Sequence, residues 1–184
     1  GFNKQQLEEL SGDLVSLRNT SSRSKSQVLA VFLFWLKTGL DQYTIADYFD
    51  IDSHFEVSRY LQQVRYAFVK DSFPNNLGTG HLTRGEWLAN NSELAKEIFN
   101  AEESQLILVV DGTYCYCQKS SNNYFQRKTF SVQKKTHLVK PFLFSMSNGK
   151  IVDVFGLHEA TKNDASIMND VLLGDQKLRK LLHP

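Results

Sequence analysis

The chain has 184 residues, which is enough for one domain or two small ones. Its 41% hydrophobic and 22% charged residues are ordinary for a globular protein, and its net charge of +1 excludes a strongly basic or strongly acidic one. The longest apolar run, Val28–Leu36, is too short to span a bilayer, so we expect a buried helix and no membrane partner.

The first part of the chain shows helical spacing of apolar residues. The predicted helices are Lys4–Leu17, a buried helix from Ser24 or Ser26 to Thr38, a short helix Thr44–Phe49 capped by Tyr43-Thr44, and Ser53–Val69 with Phe55, Val57, Tyr60, Leu61, Val64 and Phe68 inward. Gly39 is placed to end the second of these helices. A short helix, a turn and a longer helix are the layout of a helix-turn-helix.

The last of these helices has two interpretations. Ser58 and Arg59 lie on its predicted exposed side, where they are candidate DNA contacts. Residues 41–56 are rich in Asp and Glu, however, which disfavours contact with phosphates. A three-helix unit used for packing or dimerisation is therefore the alternative to a DNA reader.

The middle of the chain is predicted as a connection. Phe73–Thr79 has the Pro, Asn and Gly content of a linker, Thr83 and Glu86 form a capping box before a short helix, and Ser92 caps Glu93–Phe99. The expected division is a helix-turn-helix domain at 1–80, a helical linker at 81–104 and a third region at 105–184.

The third region has the pattern of strands. The predicted strands are Leu106–Val110, central and apolar on both faces; Phe125–Val132; Leu138–Met146, interrupted by Pro141; and Ile151–Phe155, after a type I′ turn at Asn148-Gly149. A helix capped by Asn163 or Asp164 follows. Cys115 and Cys117 are expected to be small buried side chains, because CxC is not a zinc-site spacing. The expected fold class is α+β.

One carboxylate stands out in this region. Asp111 ends the first strand, and no Asp or Glu occurs from Gly112 to Val152. That window contains Arg127, Lys128, Lys134 and Lys135, which are candidate DNA contacts, although a basic stretch is also typical of a solvated surface. A carboxylate facing a basic surface suits a metal-dependent enzyme acting on a phosphate backbone.

Five motifs then occur in order. They are VVDGTY, QKSSNNYFQRKTFS, KTHLVKP, SNGKIVDVFG and KNDASI. Together with the helical first half, they resemble the PIF/Harbinger-like DDE transposases, endonucleases of eukaryotic DNA transposons. The resemblance implies an incomplete RNase H-like nuclease domain of three strands and then a helix, with Asp111 as the first metal-binding carboxylate and Mg²⁺ or Mn²⁺ as cofactor.

The resemblance also implies the partners: double-stranded DNA at transposon ends, a homo-oligomer and an accessory DNA-binding protein, all in the nucleus. Asp164 matches a recurrent family Asp, either as a helix cap or as an accessory metal contact. The second and third catalytic acids are expected beyond Pro184, so a fragment ending there is expected to be inactive. The alternative is a domesticated transposase derivative that binds DNA or protein without catalysis.

Overall fold

The computed structural model describes residues 1–182. The chain divides into two compact units, the first spanning Gly1–Asn76 and the second beginning at Leu77. The first unit is helical, and the second combines helices with a five-stranded antiparallel sheet. The fold is therefore α+β, as predicted.

The first unit begins each of its four main helices with a side-chain cap. The helices are α1 (Lys4–Asp13), α2 (Lys25–Thr38), α3 (Gln42–Tyr48) and α4 (His54–Ala67). Their caps are Asn3, Ser24, Asp41 and Ser53, each accepting a hydrogen bond from a backbone N–H of the first turn. The predicted cap Tyr43-Thr44 was wrong by two residues, because the Asp41 carboxylate accepts from the N–H groups of both residues.

The core of the first unit lies between α1, α2, α3 and α4. Its fully buried side chains include Leu14, Val28, Leu29, Ile45 and Val64. Leu14 and Leu17 are buried although α1 ends before them. The inward position predicted for Phe55 was wrong: its side chain is 72% exposed.

The linker predicted from Phe73 begins later than expected. After α4 the chain continues through a π-helical turn, Phe68–Ser72, into a short helix α5 (Phe73–Asn76). Asp71 in the π-helical turn accepts hydrogen bonds from the backbone N–H and the hydroxyl of Ser16, at 2.6 and 2.7 Å. This tie joins the segment to the loop after α1.

The second unit starts with two short helices, α6 (Arg84–Leu88) and α7 (Glu93–Phe99). Their predicted caps are confirmed. Thr83 and Glu86 form the capping box of α6, and the Ser92 hydroxyl accepts the N–H of Ala95 at the start of α7. Trp87 on α6 is fully buried in the core of this unit.

The sheet of the second unit is organised around one long strand. Its elements are β1 (Leu108–Gly112), β2 (Cys115–Tyr116), helix α8 (Asn123–Thr129), β3 (Phe130–Ser131), β4 (Thr136–Met146) and β5 (Ile151–Glu159), followed by helices α9 (Asp164–Gly174) and α10 (Gln176–Leu182). All four other strands pair with β4, and every pairing is antiparallel.

The central position predicted for the first strand was wrong. Residues 142–145 of β4 pair with β1 and also with β5, so β4 lies between them. Within residues 1–182, β1 pairs with β4 alone. Val109 on β1 is 52% exposed, which agrees with a strand at the edge of the described sheet.

The strand predicted at Phe125–Val132 was also wrong, because most of it is the helix α8. The Asn122 side chain accepts hydrogen bonds from the N–H groups of Tyr124 and Phe125. This cap starts a helix in a segment whose aromatic content favoured a strand. Only Phe130 and Ser131 are extended.

Three details, two in the hairpin and one at the cysteines, differ from expectation. Pro141 does not end β4, which is continuous from Thr136 to Met146. It lies at the irregularity in the pairing with β5, between Lys140 and Phe142, where its missing N–H is not needed for a regular hydrogen bond. The turn after β4 is present, with Gly149 at φ 91°, but Asn148 does not have the positive φ of a type I′ turn. Cys115 is exposed rather than buried.

One face of the sheet is covered by helices. Phe142, Phe144 and Met146 alternate along β4 and are buried in the same core as Ile167 and Val171 of α9. The opposite face carries Val109, Leu143 and Val154, which are only partly covered within residues 1–182. The fold therefore leaves one face of β1 accessible near Asp111.

Candidate nucleic-acid interface

Asp111 lies on the less covered face of the sheet. It pairs with Leu143 of β4, which in turn pairs with Val154 of β5, so the three side chains share one face. Its residue surface is exposed, and its carboxylate forms no ion pair within residues 1–182. Asp111 is therefore an exposed carboxylate that can supply an oxygen ligand to a metal ion.

Asp164 lies on the other face, against the neighbouring residue Gly112. A Cβ atom added to Gly112 would lie 2.8 Å from Asp164 Oδ1. The same oxygen is 3.5 Å from the Lys140 ammonium, which also donates a 2.7 Å hydrogen bond to the carbonyl of Lys162. Strand alternation directs Asp111 away from this cluster, so the structure does not bring the two predicted carboxylates onto one face.

The capping role considered for Asp164 belongs to its neighbour. The Asn163 side chain accepts the Ser166 N–H at 2.8 Å and begins α9. Asp164 is the first residue of the helix, where its negative charge is favourable to the helix dipole.

The donor atoms of the described residues do not by themselves fit a complete Mg²⁺ or Mn²⁺ site. Such ions take several oxygen ligands, and nowhere in residues 1–182 do three His, Cys, Asp or Glu side chains gather into a group that could hold a metal. Asp111 can supply one ligand.

The four basic candidates of the second unit lie in different settings. Lys128 forms an ion pair with Glu159 at 2.8 Å, and this hydrogen bond raises the pKa of Lys128. Lys134 and Lys135 are exposed in the turn between β3 and β4, and Lys134 lies 5.2 Å from the centre of the Tyr114 ring. Arg127 is exposed in the last turn of α8. Lys128 is thus the one candidate whose charge is already balanced by a neighbouring carboxylate.

Two adjacent cavities lie among these basic side chains. The first, about 390 Å³, is lined by Lys119, Arg127, Phe130 and His137, among others. The second, about 330 Å³, is lined by Tyr114, Lys140 and Lys162, among others. Both are also lined by Val132 and Thr161, so they are neighbours, and we call the two together the Val132 groove. No Asp or Glu lines it.

The candidates on the first unit are less available to phosphate. Arg59 forms an ion pair with Glu56 on the same helix, and Ser58 is half-buried. At the start of α3, hydrogen bonds from Thr44 hold the pKa of Asp41 below its ordinary value. His54 stacks on Tyr43 with ring centres 3.9 Å apart. This surface combines aromatic rings with acids.

Sequence reasoning missed three features of the second unit. Lys140 also lies in the stretch from Gly112 to Val152 that lacks Asp and Glu, but its side chain is only 8% exposed. Sequence reasoning did not associate Tyr114 with Lys134 and Lys140, because the three residues approach only after β4 pairs with β2. Asp153 on β5 is partly buried, and this burial raises the pKa of its carboxyl. The alternation along β4 was the available signal for Lys140, since residues 138, 140, 142, 144 and 146 share a face.

No protein-family model, curated protein or solved structure matches this chain. Among the helices of residues 1–182, none combines the length and apolar character needed to cross a membrane.

Proposed function

We propose that this chain is part of a DNA-processing protein of the DDE transposase type, comprising a helix-turn-helix region and the first part of an RNase H-like nuclease domain. The parent protein would cleave phosphodiester bonds with water activated by Mg²⁺ or Mn²⁺, at transposon ends in the nucleus. The proposal rests on the motif resemblance together with one structural observation: an exposed Asp111 near the end of β1, in an antiparallel sheet of three longer strands followed by α9.

The order of elements supports the RNase H-like assignment. The three longer strands β1, β4 and β5 precede α9, and the additional segments β2, α8 and β3 all lie between β1 and β4. In the first unit, α3, the residues around Asp50 and α4 have the order of a helix-turn-helix.

The basic side chains favour the second unit as the main DNA contact. Arg127, Lys134 and Lys135 are exposed and free of ion pairs within the described residues. Phosphate contacts by such residues release counterions and give salt-dependent affinity. Since Arg59 is paired with Glu56, we assign α4 a smaller share of the contact, and packing or dimerisation remains its alternative role.

Asp111 would supply one metal ligand, and the resemblance predicts two further carboxylates downstream of this sequence. A metal in such a site would polarise the phosphate and activate water. The role of the present residues is to hold Asp111 on a rigid strand and to attract the polyanion.

The direct test is cleavage of duplex DNA, in Mg²⁺ or Mn²⁺, by the longer protein that the resemblance predicts. Asp111→Asn should abolish cleavage while leaving DNA binding intact, because it removes a ligand but no basic contact. Asp153→Asn, which removes a carboxylate from β5, is the matched control and should cleave normally. Unchanged cleavage by Asp111→Asn would show that the mechanism is wrong.

A second candidate is a non-catalytic DNA-binding derivative of such a protein. The observation in its favour is that Asp164 contacts Lys140 on the opposite face from Asp111, so the two carboxylates do not converge. This candidate predicts salt-sensitive duplex binding without any requirement for metal.

A further inference from the structure

The Val132 groove has a composition different from that of a simple phosphate-binding surface. Its first cavity brings the cations of Lys119 and Arg127 together with the ring of Phe130. Phe130 is 39% exposed, so part of its ring is available for contact. Basic groups beside accessible aromatic rings are the combination that binds unpaired nucleic acid, because every base has a face that can stack.

Among the described residues, the basic side chains at one end of the groove are unpaired, whereas those at the other end form ion pairs with carboxylates. Neither Lys119 nor Arg127 forms an ion pair within residues 1–182. Lys140 and Lys162 are held by Asp164 and Asp170, respectively. A phosphate would therefore be attracted to the end containing Lys119 and Arg127.

The walls of the groove are supported by the sheet and by α8. His137 on β4 lies edge-on to Phe130, with ring centres 5.3 Å apart, and its Nδ1 is 3.1 Å from the Thr129 hydroxyl oxygen. Phe130 itself is fixed by pairing with His137 in the sheet. The aromatic wall is therefore preformed, which reduces the ordering cost of binding.

The size and course of the groove suit a short stretch of single strand. Each cavity exceeds about 300 Å³, the lower end of the range for small-ligand sites. From the second cavity, contacts run from Lys140 through Asp164 to Gly112, the residue after Asp111. These contacts lie on the face of the sheet opposite to Asp111.

We infer that the Val132 groove binds unpaired nucleotides of a DNA strand, with phosphate on Lys119 and Arg127 and a base against Phe130. The inference rests on the proposed function for the choice of DNA as the polyanion. It adds a site for single-stranded DNA beside the duplex contacts of Lys134 and Lys135. Such a site would hold a strand separated from its complement.

The test uses the purified chain and fluorescence anisotropy with labelled oligo(dT) of about 12 nucleotides, within the usual site size for such grooves, and with a duplex of the same length. Lys119→Ala should weaken oligo(dT) binding about tenfold and duplex binding much less, whereas Arg127→Ala should weaken both, because Arg127 is also a proposed duplex contact. Phe130→Leu keeps an apolar side chain but removes the ring, and should weaken only oligo(dT) binding, by about tenfold. Lys180→Ala, an exposed cation on α10, is the control and should change neither.

Unchanged oligo(dT) binding in all three groove variants would overturn the inference. If duplex binding then persisted and was abolished by charge reversal at Lys134 and Lys135, the proposed function would stand without this site. If the chain bound neither probe at low salt, both the groove inference and the DNA-binding part of the proposed function would fail. Thermal unfolding of Phe130→Leu shows whether weaker binding reflects lost stacking or a lost fold. Lys119 and Arg127 lie outside the strands, so their variants test the site without altering the sheet.

Discussion

Gly112 and Asp164 are packed so closely that no side chain larger than hydrogen fits at position 112 without displacing the carboxylate. The added Cβ atom would lie 2.8 Å from Asp164 Oδ1, and that oxygen is also held near Lys140. This contact joins the end of β1 to the start of α9. The absence of a side chain at residue 112 is therefore a packing requirement, in a strand conformation that does not itself demand glycine.

Gly112→Ala should destabilise the second unit by about 1 kcal/mol, the lower end of the range for overpacking, because the methyl group turns the half-exposed Asp164 carboxylate away from Lys140. Asp164→Ala removes the obstructing oxygen, so the double variant Gly112→Ala/Asp164→Ala should recover part of the loss. A double-mutant cycle by urea unfolding measures this coupling. Strict additivity of the two changes would show that the contact is not the cause.

Charge reversal at Lys134 and Lys135 should weaken duplex DNA binding and reduce its dependence on salt. For each phosphate that the variant no longer neutralises, the slope of log K against log salt should fall by about 0.9. Lys128→Gln should have a smaller effect, since Glu159 already balances that charge. Binding titrations at several salt concentrations measure both quantities, with Lys180→Glu as the control for net charge. An equally large effect in the control would mean that only total charge matters.

The first unit should lose stability in acid through Asp71. Hydrogen bonds from the backbone and side chain of Ser16 lower the pKa of Asp71 below its ordinary value of 3.8. The ionised carboxylate is therefore favoured in the folded state, so its contribution is complete above pH 3.8 and is lost as the pH falls through the lowered pKa. Ser16→Ala removes the hydroxyl donor but keeps the backbone donor, so it should reduce stability at neutral pH and weaken, without abolishing, the dependence on pH below 3.8. Thermal unfolding across this range tests it, and Ser22→Ala is a matched control on the neighbouring loop.

Substitutions of Trp87 can distinguish the effect of lost side-chain volume from the effect of a lost hydrogen-bond donor in the core of the second unit. Its side chain is fully buried, and its indole N–H has no acceptor among the described residues. Trp87→Ala should cost about 3–5 kcal/mol because it leaves a large cavity. Trp87→Phe should cost much less, because the smaller ring retains apolar contact and removes a buried donor that gains nothing. Chemical denaturation distinguishes the two, and an equal loss would indicate an acceptor for the N–H.

The helical first unit was largely predictable because its signals are local. Ser24 and Ser53 cap the helices that the spacing of apolar residues predicted, and Gly39 ends α2 with a φ of 65°. Phe55 was misassigned because helical spacing alone does not show which residues at the end of a helix lie beyond the core. Its position depends on packing with α3, which no local pattern contains.

The sheet was less predictable because its order depends on contacts distant in sequence. An apolar run such as Leu106–Val110 is compatible with a central strand or with an edge strand whose second face is uncovered, and only its pairing with β4 distinguishes them. The segment around Phe125 was assigned from composition, whereas the Asn122 cap determined its structure. Asp111 could be found from sequence, but the Val132 groove could not, because its walls come from four separate segments.

The dependence of every strand on β4 has a consequence for how the second unit opens. Since β1, β2, β3 and β5 each pair with β4, no part of the sheet persists once β4 separates. Peripheral segments such as β2 can detach without disturbing the other pairings. Amide hydrogens in the middle of β4 should therefore exchange with solvent only through global unfolding of this unit, while those of β2 should exchange early.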